Sequence, residues 1–330
     1  MMRLGFVFPG QGSQSPGMGK ELAKNFKEAA MIFEKADEIA GFKLSKVCFE
    51  GPSEIINKTE YAQPALLTTS LAAFEVVKSH GIKPAVMAGL SLGEYTALVA
   101  AGAMSFEEAL PLVQVRSRLM QEAVPEGKGA MAAVMGLDDK QVDSVCRTVK
   151  GVVSIANYNC PSQTVISGET RSIVEASALL KEYGARVVPL AVSVSCHSEL
   201  LYDAAQKLRP YLRAVHWQEP SVEVISNVNV RSNRANDMVE LLVKQLYSPV
   251  LWEQSVRYMT KQVDYFVEIG YGSSLSGLIK RIDRHKVLGQ VEDRKSLDNL
   301  IKKVRPYEED RIGDRELAGY RQSYSFASGS

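Results

Sequence analysis

The chain has 330 residues, of which 45% are hydrophobic, and its formal net charge at pH 7 is +1. This length allows a sizeable core in one large domain, with or without an insert, or in two domains. The near-neutral charge argues against a nucleic-acid-binding surface spread over the molecule, because such domains usually carry a marked basic excess. No apolar run reaches the roughly 18 residues of a membrane span, and the N-terminus is typical of a strand rather than a secretory signal. We therefore predict a cytoplasmic protein that binds neither nucleic acid nor a membrane.

The cysteines are widely separated along the chain and none belongs to a C-x-x-C pair. No histidine stands at the spacing of a zinc-binding motif. We therefore expect reduced thiols, with no disulfide and no structural metal. The four cysteines are Cys48, Cys146, Cys160 and Cys196.

Strands and helices alternate over the first 127 residues. An apolar segment that ends in the turn at 9–12 predicts a buried strand followed by a helix. Ser105 and Glu108 have the spacing of a capping box, whereas Pro111 predicts a kink or a later start of the same helix. The predicted elements are a strand at 3–8, helices at 18–26 and 64–80, a strand at 85–88, and helices at 95–101 and 105–124.

Shorter elements follow between residues 128 and 192, in the predicted order βαββαβ. This order is that of a ferredoxin-like fold. The two ends of such a unit emerge close together, so we predict that 128–192 is a subdomain inserted into a larger domain. The predicted elements are a strand at 130–134, a helix at 138–149, strands at 152–156 and 164–167, a helix at 170–183 and a strand at 185–190.

Longer elements return after residue 193. With the first part of the chain they predict a larger α/β domain, residues 1–127 and 193–304, in which helices cover both faces of a parallel sheet. The charged and then Ser-rich segment 305–330 is expected to be a mobile tail. The predicted elements are a helix at 197–212, a strand at 222–226, helices at 238–247 and 252–262, and a strand at 265–269.

The segment Gly89-Leu-Ser-Leu-Gly93 matches the pattern G-x-S-x-G between a predicted strand and a predicted helix. In that setting the glycines allow a sharp turn that lifts a serine hydroxyl above the end of the sheet. The helix N-terminus behind Ser91 favours a developing negative oxygen, and the Leu92 N–H is a natural donor to it. For these five residues alone, a glycine-rich turn with an incidental serine is an equally good interpretation, and the context favours a nucleophile.

A serine nucleophile needs a base, and histidine is the usual one near neutral pH. The chain has four histidines. His80 and His285 lie in segments expected to be solvated, and His216 lies on a loop or a strand edge. His197 lies where a strand ends and a helix begins, which makes it the best candidate, although a lone histidine is more often structural.

Further short motifs are spread over the chain in a specific order. They are Phe8-Pro-Gly-Gln-Gly-Ser-Gln14, Gly89-Leu-Ser-Leu-Gly-Glu-Tyr95, Arg116 followed by Met120-Gln-Glu-Ala-Val-Pro125, Gly129-Ala-Met-Ala-Ala133, Ala156-Asn-Tyr-Asn159, Cys196-His-Ser198, Ser248-Pro-Val250 and Val267-Glu-Ile-Gly270. Together they resemble the malonyl-CoA:acyl carrier protein transacylase family, close to the bacterial fatty-acid-synthesis enzyme and akin to polyketide-synthase acyltransferases. The resemblance covers residues 4–282 and implies an α/β-hydrolase-like larger domain, a ferredoxin-like insert and an active site between them.

The resemblance also implies roles for the reacting groups. Ser91 matches the nucleophile of the family and His197 matches its base. The backbone N–H groups of Gln11 and Leu92 match the pair that forms the oxyanion hole.

Substrate binding and orientation of the base are implied in the same way. Arg116 matches the arginine that pairs with the free carboxylate of the malonyl group, and a guanidinium suits this role because it donates two parallel hydrogen bonds. By periodicity alone it would be a surface helix arginine. Asn159 is predicted to bind substrate, and the carbonyl of Val250 or Leu251 is predicted to orient the base.

The resemblance implies transfer of a malonyl group from malonyl-CoA to the phosphopantetheine thiol of an acyl carrier protein, in fatty acid biosynthesis, with no cofactor or metal. The alternatives are a trans-acting polyketide-synthase acyltransferase, an acyl hydrolase with the same nucleophile, and a catalytically silent scaffold for carrier proteins. Two departures from the family bear on the acyl group. Leu90 replaces the histidine that commonly precedes the nucleophile, and Cys196 is a small residue that leaves space for a branched substituent.

Overall fold

The computed structural model describes residues 2–125, 127–190, 194–232 and 234–305. The predicted tail, apart from its first residue, and the predicted domain boundary at 192–193 lie outside the described residues. The described elements, in chain order, are β1 Leu4–Phe8, α1 Lys20–Asn25, α2 Lys27–Ala40, α3 Leu44–Glu50, α4 Ser53–Ile56, α5 Thr59–Ser79, β2 Pro84–Gly89, α6 Leu92–Ala100, α7 Phe106–Ala123, β3 Gly129–Met135, α8 Asp139–Thr148, β4 Val153–Cys160, β5 Gln163–Glu169, α9 Thr170–Glu182, β6 Arg186–Pro189, α10 Tyr202–Ala214, β7 Glu223–Ile225, α11 Met238–Tyr247, α12 Trp252–Thr260, β8 Tyr265–Ile269, α13 Ser274–Ile282, β9 Val287–Val291 and α14 Arg294–Val304.

The larger sheet has five strands in the order β7-β2-β1-β8-β9. All neighbouring pairs are parallel, and every residue of the central strand β1 is buried. Parallel strands covered on both faces are expected to be apolar throughout, as this one is. Because the carboxyl ends of parallel strands meet at one edge, the turns that follow β1 and β2 lie side by side.

The smaller sheet is antiparallel, with the order β4-β5-β3-β6. The helices α8 and α9 pack against it around a separate apolar cluster that includes Val134, Val142, Ile166 and Leu180. The parallel sheet and the separate antiparallel sheet confirm the predicted fold class. The division of the chain into a larger domain and an inserted subdomain stays a prediction.

Backbone hydrogen bonds join the smaller sheet to a segment of the chain outside both sheets. The Tyr158 N–H donates to the Val250 carbonyl at 2.9 Å, and the Val250 N–H donates to the Ala156 carbonyl at 2.8 Å. Strand β4 is therefore tied directly to the segment that precedes α12.

Several helix boundaries differ from the predictions. Helix α6 begins at Leu92, three residues before the predicted start, and α10 begins at Tyr202, five residues after it, while α2, α3 and α4 were not predicted. Helix α7 begins at Phe106 after a complete Ser105–Glu108 capping box and continues through Pro111, so the predicted later start is wrong. A proline inside a helix loses one backbone hydrogen bond, and here the cap and the buried face of the helix offset that loss. Helix α5 begins at Thr59, five residues before the prediction. Within the described residues no helix is both long and apolar enough to cross a membrane.

Candidate active site

A cavity of about 510 Å³ lies between the carboxyl end of the larger sheet and the smaller sheet. Its walls include the turns after β1 and β2, residues of β3, β4 and β5, and one face of α13. Six of the eight predicted site residues line it, and the two that do not are Val250 and Leu251. The six are Gln11, Ser91, Leu92, Arg116, Asn159 and His197.

The turn that carries Ser91 depends on its two glycines. A Cβ atom on Gly89 would lie 1.8 Å from the Gly93 carbonyl carbon, and one on Gly93 would lie 2.1 Å from the Phe8 carbonyl oxygen. Ser91 itself has φ 54 and ψ −104, a conformation that L-residues rarely adopt. The turn therefore has the close backbone approach that the motif predicts, and it places the serine at the N-terminus of α6.

A buried asparagine on the neighbouring segment holds this turn. Asn227 accepts a hydrogen bond from the Ser91 N–H at 2.7 Å and donates one to the Gly89 carbonyl at 2.7 Å. Its side chain thus satisfies both backbone groups that the sharp turn leaves without partners. Asn227 was not predicted from the sequence, since it lies 136 positions from Ser91 and belongs to no recognised motif.

The histidine predicted as base lies against the predicted nucleophile. The Nε2 atom of His197 is 2.8 Å from Ser91 Oγ, and its Nδ1 atom is 2.7 Å from the Gln245 carbonyl oxygen. A carbonyl only accepts, so Nδ1 carries the proton and Nε2 is left as an acceptor for the serine hydroxyl. This tautomer is the one that a general base requires.

The predicted orienting carbonyls, those of Val250 and Leu251, are not the partners of the histidine, and this prediction is wrong. The carbonyl of Val250 accepts the Tyr158 N–H, and the Leu251 N–H donates to the Asn227 carbonyl. Both residues therefore serve the connection between the segments around the site. The carbonyl that faces the imidazole is that of Gln245, in α11.

Burial first, and then the positive charge of Arg116, lower the pKa of His197 to about 4. Hydrogen bonds to the backbone at Gln245 and Ser248 act in the opposite direction and are outweighed. The ring is 3% exposed and is therefore neutral at pH 7. A neutral imidazole is able to accept the serine proton.

The two predicted oxyanion donors lie at adjacent strand ends. Leu92 is the first residue of α6, where backbone N–H groups have no partner within the helix. Gln11 follows β1, and its side chain donates to Thr59 Oγ1 at 3.1 Å and accepts from Gln63 Nε2 at 3.3 Å. These side-chain bonds fix the turn that carries the Gln11 N–H. The role of both amides stays a prediction.

Arg116 is fully buried, contrary to the surface position that periodicity alone favoured. Its guanidinium donates to Gln63 Oε1 at 2.6 Å, to Gln245 Oε1 at 3.1 Å and to Ser91 Oγ at 3.2 Å. The ring of Tyr95 lies below it, with its centroid 5.1 Å from Cζ. All three acceptors are neutral, and within the described residues Nε has no hydrogen-bond partner. A buried cation with only neutral partners is suited to bind a carboxylate.

Asn159 lines the same cavity from β4. It is 9% exposed, and its Oδ1 atom has no hydrogen-bond partner among the described residues. A buried acceptor without a partner is available to a donor on a bound molecule. Its role in substrate binding stays a prediction. The described residues contain no cluster of three or more His, Cys, Asp or Glu side chains that could hold a metal ion.

The fold and the site define a serine acyltransferase, and comparison with known proteins agrees. Residues 5–307 match the model of the acyl transferase domain family. The chain is 46% identical over 312 residues to the malonyl CoA-acyl carrier protein transacylase of Bacillus subtilis. The match covers 92% of this chain and 98% of that protein. The enzyme of the same name from Escherichia coli K12 is 46% identical over 288 residues, or 86% of this chain and 93% of that protein. The chain belongs to the malonyl CoA-acyl carrier protein transacylase family, as the sequence motifs predict.

Solved structures give the same result. The malonyl CoA-acyl carrier protein transacylase of Clostridium perfringens superposes with a TM-score of 0.91 at 40% identity, and the match covers 94% of this chain and 99% of that one. A malonyl-transacylase in complex with a type II PKS acyl-carrier protein superposes with a TM-score of 0.89 at 42% identity. The match covers 91% of this chain and 99% of that one.

The two hydrogen bonds of the Asn227 side chain to the Ser91 turn yield a stability prediction. Asn227→Ala leaves the Ser91 N–H and the Gly89 carbonyl buried without partners, so we expect the free energy of unfolding to fall by roughly 2–6 kcal/mol, the sum for two such groups. Chemical denaturation measures this change. The control is Asn229→Ala, in the same segment but exposed, which removes a hydrogen bond from the Arg231 N–H at 3.0 Å and should lower the stability by about 1 kcal/mol or less. Equal effects of the two substitutions would contradict the role of Asn227 in stabilising the turn.

The burial of His197 yields a titration prediction. We expect its ring to stay neutral at pH 6 and to take up a proton only as the pH falls towards about 4. The unfolded chain binds that proton nearer the ordinary pKa of 6.5, so this group makes the folded protein less stable as the pH falls from 6.5 to about 4. NMR titration of the histidine C–H signals, with His197→Asn to assign the signal, measures the pKa. A midpoint at 6.5 would contradict the proposed environment.

Proposed function

We propose that this protein transfers a malonyl group from malonyl-CoA to the phosphopantetheine thiol of an acyl carrier protein, with Ser91 carrying the acyl group in between. One observation carries the proposal: a neutral histidine and a buried arginine contact the same serine oxygen, at 2.8 and 3.2 Å. The first contact activates a nucleophile, and the second places a cation where a carboxylated acyl group would lie. The names of the relatives agree with this proposal.

In the first half-reaction His197 Nε2 takes the proton of Ser91 Oγ while this oxygen forms a bond to the thioester carbonyl carbon. The carbonyl oxygen becomes negative and accepts hydrogen bonds from the Gln11 and Leu92 amides. When the carbon–sulfur bond breaks, the sulfur of coenzyme A leaves with the proton held by His197. The malonyl group remains as an ester on Ser91.

The second half-reaction repeats these steps with a different thiol. The carrier-protein thiol gives its proton to His197 and attacks the ester carbonyl, and Ser91 leaves with that proton. Every proton and electron pair is accounted for by side chains, amides and substrates, so we propose that no cofactor beyond the coenzyme A substrate takes part. An ordered ping-pong cycle of this kind requires the same cavity to receive both thiols.

Selection of the malonyl group is assigned to Arg116. Its guanidinium is held in place by two glutamine oxygens and has a donor, Nε, with no partner among the described residues. The malonyl carboxylate then receives charge-assisted hydrogen bonds in a site of low dielectric, where they are strong. An acetyl group has no atom to accept them.

The partner and the pathway follow from the relatives. One structural neighbour is a malonyl-transacylase in complex with an acyl-carrier protein, which supports a carrier protein as the second substrate. We assign the reaction to fatty acid biosynthesis, and service to a type II PKS carrier protein, as in that neighbour, is the second candidate. The division into a domain at 1–127 and 193–304 and a subdomain at 128–192 is part of this proposal. The cytoplasmic location stays a prediction.

The covalent intermediate is directly testable. After mixing with malonyl-CoA, intact mass spectrometry should show one malonyl adduct, and Ser91→Ala should show none. Cys196 lines the same cavity, so Cys196→Ser is the control and should keep the adduct. Burial raises the pKa of the Cys196 thiol to about 11, which leaves it protonated and unreactive at neutral pH. An adduct that persists in Ser91→Ala would overturn the mechanism.

The role of Arg116 predicts a change in acyl preference. For Arg116→Ala we expect kcat/KM with malonyl-CoA to fall relative to acetyl-CoA by at least about tenfold, since charge-assisted hydrogen bonds are lost only with the carboxylated substrate. Arg116→Lys keeps the charge without the planar fork and should recover only part of the preference. The control is Arg118→Ala, two residues along α7, whose side chain is 60% exposed. Equal losses with both substrates would reject the carboxylate contact.

A further inference from the structure

A carboxyl group lies beneath the active site without lining the cavity. Glu94, in the first turn of α6, is 1% exposed. Its Oε2 atom accepts hydrogen bonds from Gln245 Nε2 at 2.6 Å and from the Asn227 N–H at 3.2 Å, and the Ser226 hydroxyl also bonds to the carboxyl group. The proposed reaction uses none of these contacts directly, so this buried group needs a separate explanation.

The side chain of Gln245 connects this carboxyl group to the reacting residues. Its Nε2 atom donates to Glu94 Oε2 and to the Ser91 carbonyl, at 2.6 and 3.0 Å. Its Oε1 atom accepts from Arg116 Nη2 at 3.1 Å. The backbone carbonyl of the same residue faces His197 Nδ1. One glutamine therefore contacts the nucleophile, the base and the predicted carboxylate-binding arginine.

The chemistry of the partners determines which way the Gln245 amide points. A guanidinium only donates, so the amide oxygen has to face Arg116. The amide nitrogen then faces two acceptors, the Ser91 carbonyl and the Glu94 carboxyl group, and the shorter bond is to Glu94. Removing the Glu94 acceptor would leave a buried N–H without its closer partner and free the side chain to turn.

We propose that Glu94 is a positioning residue: its buried carboxyl oxygen holds the Gln245 amide in the orientation that presents Oε1 to Arg116 and so keeps the guanidinium aimed at the carboxylate of the acyl group. This inference rests on the proposed malonyl transfer and extends it to a residue outside the cavity. It assigns Glu94 to acyl selection rather than to proton transfer.

The role depends on an acceptor atom and not on charge. Burial raises the pKa of Glu94 to about 7, while hydrogen bonds from Gln245, Asn227 and Ser226 and the charge of Arg116 act in the opposite direction. The hydrogen bonds from Gln245 and from Asn227 end on the same oxygen, Oε2. That oxygen remains an acceptor when the proton sits on the other one. A glutamine at this position would offer the same single acceptor.

The test compares Glu94→Leu, which removes the acceptor, with Glu94→Gln, which keeps it. Burst kinetics of coenzyme A release with malonyl-CoA and acetyl-CoA give the ratio of the two kcat/KM values. We expect this ratio to fall roughly tenfold in Glu94→Leu and to stay within about threefold of the parent value in Glu94→Gln. A purely structural loss lowers the folded fraction and both rates equally, which leaves the ratio unchanged.

Two further variants complete the design. Asp37 is a mostly buried carboxylate far from the cavity that holds Ser45 through two 2.7 Å bonds, so Asp37→Leu controls for destabilisation and should leave the ratio unchanged. Gln245→Met removes the connecting amide but keeps the backbone carbonyl, and it should lower the ratio as Glu94→Leu does. It also serves as the test if Glu94→Leu does not fold.

Each outcome decides the inference. An unchanged ratio in Glu94→Leu or in Gln245→Met overturns it, as does an equal fall in Glu94→Gln, which would assign the effect to charge. Failure of the proposed function can be distinguished from failure of the inference about Glu94, because in the first case the parent protein would form no malonyl adduct on Ser91. If the parent forms the adduct and Arg116→Ala loses the preference while Glu94→Leu keeps it, only the role of Glu94 is lost.

Discussion

The structure depends on a guanidinium that is buried without an anionic hydrogen-bond partner. Arg116 is fully buried, and its hydrogen-bond acceptors are two glutamine amide oxygens and one serine hydroxyl. Burying a charge is costly unless it is paired, and neutral dipoles only partly offset that cost. The folded chain therefore holds a cation that a carboxylate stabilises on arrival. The proposed preference for a carboxylated acyl group rests on this arrangement.

The same charge also acts on the base. The positive charge of Arg116 is one cause of the lowered pKa of His197, after burial. When a malonyl carboxylate pairs with Arg116, that repulsion weakens, so the imidazole becomes a stronger base at the moment when Ser91 must lose its proton. An acetyl group leaves the repulsion in place. The proposed discrimination between malonyl and acetyl groups therefore acts on the rate of acylation as well as on binding. Only interactions that are stronger in the transition state than in the bound substrate raise kcat.

The sequence predicted those parts of the fold and the site that local patterns encode. The G-x-S-x-G turn, the capping box at Ser105 and the βαββαβ order depend on residues close together in the chain, and each is present. Asn227, Gln245 and the contact of Glu94 with Gln245 were missed because their contacts join positions 48 to 154 residues apart. One signal was available for Glu94, since it is the one charged residue of helix α6. That pattern indicates a buried polar group, but it does not predict which residue the carboxyl group contacts.

The wrong assignment of Val250 and Leu251 has a physical explanation. A backbone carbonyl is present at every residue, so side-chain identity cannot show which carbonyl faces an imidazole. In the structure the carbonyl comes from Gln245, near the C-terminal end of α11, where the last carbonyls of a helix have no partner within it. A donor such as the imidazole N–H satisfies one of these groups. The identity of the side chain at 245 matters for a different reason, because its amide links the helix that supplies the carbonyl to Arg116 and to Ser91.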